Sequence, residues 1–307
     1  MTELKAYACL ACAALGDMAG SPFEGLSRDE ASRRLKGLRL PEALGAYTDD
    51  TLLAKWAAEA IVEGGLKGAR ARLARRLMEG EGELRARRAG RTTLSSIAKL
   101  KVDPSWRPSS GDTNGAALRA LPIGLAVPLS AAEELFRLVV ELSSITHGGV
   151  EALAAASAIA HAASKALEPE ASMEDVVEAG AIGAARLSAK LAGLIEGAAS
   201  LADEVEAQRL PDELPRRVGV SPLSWESVPA AFSVFKASRG EVEAAITLAL
   251  AAGGDTDSIA FMAAGLCGAL KGASAIPKGW EPKVEGLGLR DLAEGLAEVR
   301  RRLERGA

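Results

Sequence analysis

The stretch AAGGDTDSIAFMAAGLCGAL, residues 251–270, sets two glycines and two acids, Asp255 and Asp257, ahead of an apolar run. Ile259, Met262, Ala263, Leu266 and Leu270 recur at the helical period, so the run reads as a buried helix. A second stretch, AYTDDTLLAKWAAEAI at 46–61, repeats the arrangement. Thr48, Asp49 and Asp50 precede a helix marked by Leu53, Trp56, Ala57, Ala60 and Ile61. One acid or hydroxyl at such a place is a helix cap: its oxygen accepts an orphan amide, and the helix dipole favours its charge. A second acid beside the first needs another reason, because only one side chain can take the cap. Two such clusters before two apolar helices point to a shared task.

Working outward, nearly every long segment has helical composition and period. Residues 4–16, 50–64, 67–88, 130–145, 148–167, 172–200, 224–237, 239–252, 257–272 and 289–305 are rich in Ala, Leu, Glu and Arg. Alternating strand patterns bounded by hairpin signals are missing. Residues 17–48, 101–115, 209–224 and 275–288 read as loops, and the helical character is the same on either side of each. The expectation is an all-α, compact bundle forming one domain over 1–307, with Ala-rich faces that let helices approach closely.

At 307 residues and 48% hydrophobic, the chain can bury a sizeable core. The N-terminus carries Glu3 and no basic leader, so it reads as a first helix and not a signal peptide. No membrane span is expected, because the apolar runs are interrupted by glycine or polar residues. Net charge is −4, with no basic tail or aromatic-laced basic stripe, which argues against nucleic acid as a partner. Cys9, Cys12 and Cys267 cannot form a disulfide framework. They read as small core residues in a reducing, cytoplasmic protein, expected to be a monomer. The chain has one Asn (Asn114) and one Gln (Gln208), and such depletion of thermolabile amides fits a hot environment.

The acids at loop–helix junctions are Glu24, Asp49, Asp50, Asp255 and Asp257. If they converge, each pair at ~4 Å repels by about 4 kcal/mol at an effective dielectric of 20. Such a cluster calls for cations. The donors beside it are carboxylates and hydroxyls, Thr48 and Ser258 included, with no His or Cys. Hard oxygen donors select Mg²⁺, Mn²⁺ or Ca²⁺ over zinc, and two divalent ions nearly balance five carboxylates.

The set GDMAGSPFEG (16–25), YTDDT (47–51), TNGAALRALPIGL (113–125), SSITHGG (143–149) and GGDTDSIAFMAAGLCGA (253–269) resembles the ADP-ribosylglycohydrolase family, in the family's order. The resemblance runs from residue 7 to about 277. It implies an orthogonal helical bundle around a binuclear Mg²⁺ or Mn²⁺ centre, and cleavage at the anomeric carbon of ADP-ribose conjugates. The partner would be ADP-ribose or an ADP-ribosylated protein or small molecule. By the same resemblance Thr48, Asp49 and Asp50 form one half of the metal site, and Asp255, Asp257 and Ser258 the other. Ser258 stands where the family often has Thr, and its hydroxyl is retained.

Glu24 matches the family's mobile glutamate, and it or a metal-bound acid such as Asp257 would serve as the catalytic acid or base. Gly111, Asp112, Thr113, Asn114 and Gly115 resemble the loop that holds the diphosphate. His147 resembles a histidine of the substrate pocket, and Gly253 and Gly254 border the same site. Asp112 departs from the family pattern, since a carboxylate repels a diphosphate; it is expected to face away from phosphate and towards the leaving group, where it would favour a cationic group such as guanidinium. His161 reads as structural. Asn114 is either a left-handed turn residue or the source of a specific amide hydrogen bond, and its survival in an Asn-poor chain favours the second.

Two cations could hold the ribose diol and orient a water, with a carboxyl serving the leaving group. Two rivals share these features. One is a non-catalytic ADP-ribose binder of the same fold, which an eroded acid set would signal. The other is a two-metal phosphohydrolase acting on the diphosphate; there a His–Asp pair is expected, and neither histidine precedes an Asp.

Overall fold

In the computed structural model, which describes residues 2–306, the two motif-bearing segments start buried helices as expected. Every regular element among the described residues is a helix; the only extended pairing is an isolated antiparallel bridge between Thr113 and Leu223. One contiguous apolar core runs from Ala6 to Leu296.

Its axis is the pair of helices Thr2–Gly20 and Thr256–Lys271, which lie antiparallel. Small residues set their spacing. A Cβ on Gly16 would sit 2.4 Å from the Ala260 carbonyl oxygen, one on Gly20 2.4 Å from Asp257 Cα, and one on Gly268 2.3 Å from the Ala8 carbonyl oxygen. No side chain fits at those distances, so backbone touches backbone along the whole seam. The seam brings Asp17, near the end of the first helix, beside Asp257 at the start of the other.

The helix Asp49–Glu79 lies against this pair, with Thr48 capping it by accepting from the Asp50 amide. The expected break between 64 and 67 falls at Gly65, whose φ of 59° and ψ of 178° interrupt the helix. Val150–Ala166 and Met173–Ala185 form a neighbouring layer. The closing helix Leu289–Gly306 is tied in by Arg300, which donates to the Gly124 and Val127 carbonyls and to Ser164.

Some expected boundaries move. Residues 172–200 divide into Met173–Ala185 and Ala189–Glu204, because Ser188 caps a new helix by accepting from the Leu191 amide. The 67–88 segment stops at Glu79, with Gly80 as its cap, and resumes as Glu81–Ala86. Helices also arise where loops or nothing were expected: Arg28–Leu35, Arg91–Val102 and Leu210–Arg217, and the shorter Leu40–Ala43, Gly115–Leu118 and Leu121–Ala126. Arg28–Leu35 opens on a Ser27–Glu30 capping box, a local signal that was legible and missed. Thr256–Ala275 is long and apolar enough to cross a membrane, yet it is mostly buried within the fold, as a core helix is. Cys9, Cys12 and Cys267 are free and buried.

Candidate metal and substrate site

The two acid motifs and the Glu24 loop meet in one cavity of about 320 Å³. Its walls include Glu24, Thr48, Asp49, Asp50, Thr113, Asn114, Gly115, Asp255, Asp257 and Ser258, with Arg88, Gly90, Arg91, Thr92 and Thr93 on one side. The capping question is answered residue by residue. At the first cluster Thr48 is the cap, which leaves both Asp49 and Asp50 over. At the second, Asp255 occupies the cap position but its side chain makes no capping bond. Asp49, Asp50 and Asp255 therefore face this space with no helix-capping duty to explain them, and Asp257 takes one first-turn amide, that of Ser258 at 3.0 Å.

The clusters are wired together. Ser258 Oγ donates to Asp50 Oδ2 at 2.8 Å, joining one half to the other. Asn114 Nδ2 donates to Asp255 Oδ2 at 2.5 Å and to Ser227 Oγ at 3.0 Å. Glu24, Asp255 and Asp257 each offer an oxygen within 4.8 Å of the others, close enough to share one ion. Glu24 is held at the cavity edge by Arg88, Nη1 to Oε2 at 2.9 Å. Arg88 itself has φ of 67°, a left-handed conformation costly for a residue with a Cβ.

Burial raises every one of these aspartates towards protonation. Asp49 is pushed up to about 7, first by burial and then by Asp17 and Glu24. Asp255 rises to about 6 by burial, held back by the Asn114 amide. Asp50 and Asp257 are raised well above the usual carboxylate range, by burial and by the neighbouring aspartates. A set of buried carboxylates that resists its own ionisation, supplemented by hydroxyl oxygens and by no nitrogen or sulfur donor, suits hard divalent cations.

Asp17 was not singled out in the sequence, and it holds the first cluster in place. Its Oδ2 accepts from the Thr48 amide at 2.9 Å, the Thr51 amide at 3.2 Å and Thr51 Oγ1 at 2.5 Å. Three donors on one carboxylate oxygen pin the start of the Asp49–Glu79 helix to the central pair. The sequence signal was an acid inside the apolar run CLACAALGDMAG, a place where a charge needs partners.

Other expected site residues lie elsewhere. Gly111 and Asp112 do not line the cavity; the Asp112 carboxylate packs against Gly149, where a Cβ would fall 1.7 Å from Oδ1. The loop is thus no five-residue phosphate cradle, and the Asn114 amide is spent on the Pro222 carbonyl. The expectation that Asp112 faces a leaving group is not met, because its carboxylate lies outside the cavity. Asn114 has φ of −76°, so it is no left-handed turn residue, and its side chain serves Asp255. Gly253 and Gly254, at φ of 75° and 73°, also stand behind the wall. There the Gly254 amide donates to the Leu26 carbonyl, and its own carbonyl accepts from Gly25, so the pair clamps the loop carrying Glu24. His147 is fully buried behind Thr113 and does not reach the cavity. His161 is structural: its Nδ1 lies 2.8 Å from the Ser157 carbonyl.

The model of one family, ADP-ribosylglycohydrolase, matches residues 2–306. The chain belongs to the ADP-ribosylglycohydrolase family. It is 33% identical to an uncharacterized protein of Archaeoglobus fulgidus, over 96% of this chain and 95% of that one. It is 28% identical to the uncharacterized protein YegU of Escherichia coli, over 95% and 96%. A solved chain described as an ADP-ribosylglycohydrolase-related protein complex is similar at a TM-score of 0.71 and 25% identity, covering 97% of this chain and 98% of that chain. Membership agrees with the all-helical architecture and with the acid cluster at the meeting point of the motifs.

Proposed function

We propose that this family member hydrolyses the glycosidic bond at the anomeric carbon of ADP-ribose conjugates, releasing ADP-ribose. The observation that carries the reading is the single cavity into which Asp49, Asp50, Asp255, Asp257 and Glu24 all converge. Thr48, Asp49, Asp50, Asp255, Asp257 and Ser258 are the residues that would hold two Mg²⁺ or Mn²⁺ ions. Bound there, the ions would supply Lewis-acid stabilisation and an activated water.

The chain's own residues supply the rest. Asp17, Asn114 and Ser258 fix three of the carboxylates by hydrogen bonds or by pinning their helix, so the acids stay oriented when a ligand arrives. Glu24 stands at the edge of the acid cluster, on a loop, and is placed to give a proton to the departing atom or take one from water. Its partner Arg88, with Arg91 and the start of the Arg91–Val102 helix, makes one wall cationic in an otherwise acidic cavity. A diphosphate would lie along that wall, where helix amides and guanidinium groups favour anions. The anomeric carbon would then lie over the carboxylates.

Product chromatography on arginine-linked, serine-linked and free ADP-ribose conjugates, in Mg²⁺ and in EDTA, tests this. The expected result is ADP-ribose, released in Mg²⁺ and not in EDTA. AMP with ribose phosphate would make the protein a phosphohydrolase. Binding without turnover of any conjugate would make it an ADP-ribose binder.

A further inference from the structure

Behind the cavity wall lies a charged side chain that the reading above does not use. Arg119 is 1% exposed, and no carboxylate lies within ion-pair distance of it among the described residues. Its Nε and Nη1 have no hydrogen-bond partner among the described residues, and its one bond runs from Nη2 to Thr146 Oγ1. A buried, unpaired guanidinium costs several kcal/mol relative to an apolar side chain of similar size. Such a residue needs a task that an apolar one could not perform.

The bonds beyond it describe that task. Thr146 Oγ1 lies 2.8 Å from His147 Nδ1, and His147 Nε2 lies 2.9 Å from Thr113 Oγ1. Thr146 and His147 are fully buried, and Thr113 lines the cavity. We propose that Arg119 is a positioning residue that sets the direction of this relay, Arg119 to Thr146 to His147 to Thr113, so that the Thr113 hydroxyl faces the cavity as a donor. The ligand atom it meets is then an oxygen acceptor, such as a phosphate or ribose oxygen. This ligand assignment rests on the function proposed above; the relay itself does not.

The direction follows from counting hydrogens. Guanidinium has donors only, so Thr146 Oγ1 must accept from Arg119. Thr146 has one hydroxyl hydrogen, and the acceptor within reach is His147 Nδ1. If Nδ1 instead carried a hydrogen, Thr146 would accept twice and its own hydrogen would be stranded in the interior, at a cost of about 1–3 kcal/mol. Two donor hydrogens would also crowd one oxygen. Nδ1 is therefore bare, and the ring hydrogen sits on Nε2 and is donated to Thr113. Thr113 accepts that bond, which leaves its hydroxyl hydrogen for the cavity. Burial, reinforced by the Arg119 charge, holds His147 well below its ordinary pKa, so the ring is neutral. Burial lowers Arg119 to about 10 against the opposing charge of Asp49, and it remains a cation at neutral pH. Without Arg119 the Thr146 hydroxyl could turn either way, and the relay would lose its direction.

The chain's two histidines make the test compact. Long-range ¹H–¹⁵N correlation spectra distinguish the two neutral tautomers of each ring, with His161→Gln used for assignment. His161 is expected as the Nδ1–H form, because its Nδ1 donates to the Ser157 carbonyl. His147 is expected as the opposite, Nε2–H form. Arg119→Met should convert His147 to a mixed or Nδ1–H ring while His161 keeps its tautomer and so reports an intact fold; Arg119→Lys should restore the wild-type pattern.

A wild-type His147 in the Nδ1–H form overturns the relay, and no variant is needed to see it. So does an unchanged His147 in a folded Arg119→Met protein. Calorimetric titration with ADP-ribose then tests the ligand side. Thr113→Val should weaken binding about tenfold, as loss of one hydrogen bond to a charged or polar oxygen does, and Thr113→Ser should retain it. Equal binding by Thr113→Val overturns the donor role. Failure of wild type to bind ADP-ribose would instead overturn the proposed function, with the tautomers still deciding the relay.

Discussion

Replacing Asp49 by Asn should stabilise the metal-free protein, and the gain should grow with pH. Asp49 titrates at about 7 in the folded chain, against an ordinary value of 3.8. Its folded pKa is raised, so between these values the native state holds a proton that the unfolded state has released. Stability linked to Asp49 therefore falls as pH rises through this window and is flat beyond it. Integrated from pH 5 to pH 8, the two values give a loss of about 3 kcal/mol. Asn carries no such proton, so the variant should gain about 3 kcal/mol on wild type between those pH values. With an unfolding entropy of ~2.1 cal/mol/K per residue, that corresponds to a Tm difference wider by about 4–5 °C at pH 8.

The comparison with wild type cancels the two histidines. Both have lowered folded pKa values, so each contributes stability that is lost as pH falls below its unfolded value. Without that cancellation, their slope would oppose the one from Asp49. The assay is differential scanning calorimetry of both proteins in EDTA at pH 5 and 8, repeated in millimolar Mg²⁺. With Mg²⁺ at pH 8 the order should reverse, because ion binding stabilises the folded state and the variant has lost a ligand. A Tm difference in EDTA that is the same at both pH values would refute the electrostatic reasoning. A Mg²⁺ shift of equal size in both proteins would remove Asp49 from the metal site.

Three further substitutions have expected outcomes, two of them in the packing around the acids. Asn114→Ala should lower Mg²⁺ affinity about 10–100-fold, measured by titration calorimetry, because Asp255 loses the amide that orients it; unchanged affinity would reduce Asn114 to a structural role. Gly20→Ala should destabilise by about 1–3 kcal/mol or more and weaken metal binding too, since the new Cβ meets Asp257 backbone at 2.4 Å. Gly68→Ala, with nothing within 4 Å, should instead be neutral or stabilising in the same thermal melts.

Much of the fold was legible because helical period and composition are local properties. The long helices and the break near Gly65 follow from residues within a few turns of one another. The two acid clusters were legible for a similar reason: a helix start needs one cap, and each motif offers more than one candidate. Family resemblance then ordered the motifs. Helices at 28–35 and 210–217 were missed because they are short and strongly polar, and the one at 91–102 because its buried face, Thr93, Ser96, Ile97 and Leu100, is half polar; only the first has a side-chain cap, so docking holds the other two.

What only the tertiary structure decided is which side chains share the cavity. Asp17 and Asp257 are 240 positions apart and meet because Gly16, Gly20 and Gly268 let two helix backbones touch. The sequence favoured an amide hydrogen bond for Asn114, but its partner, Asp255, is set only by a contact 141 residues away. Gly111, Asp112, Gly253, Gly254 and His147 belong to the motifs by sequence yet stand behind the wall, since adjacency along a chain does not set the direction of a side chain. The chemical class of the site resides in its residue types and is carried by the sequence. Its geometry comes from long-range packing, which no local window contains.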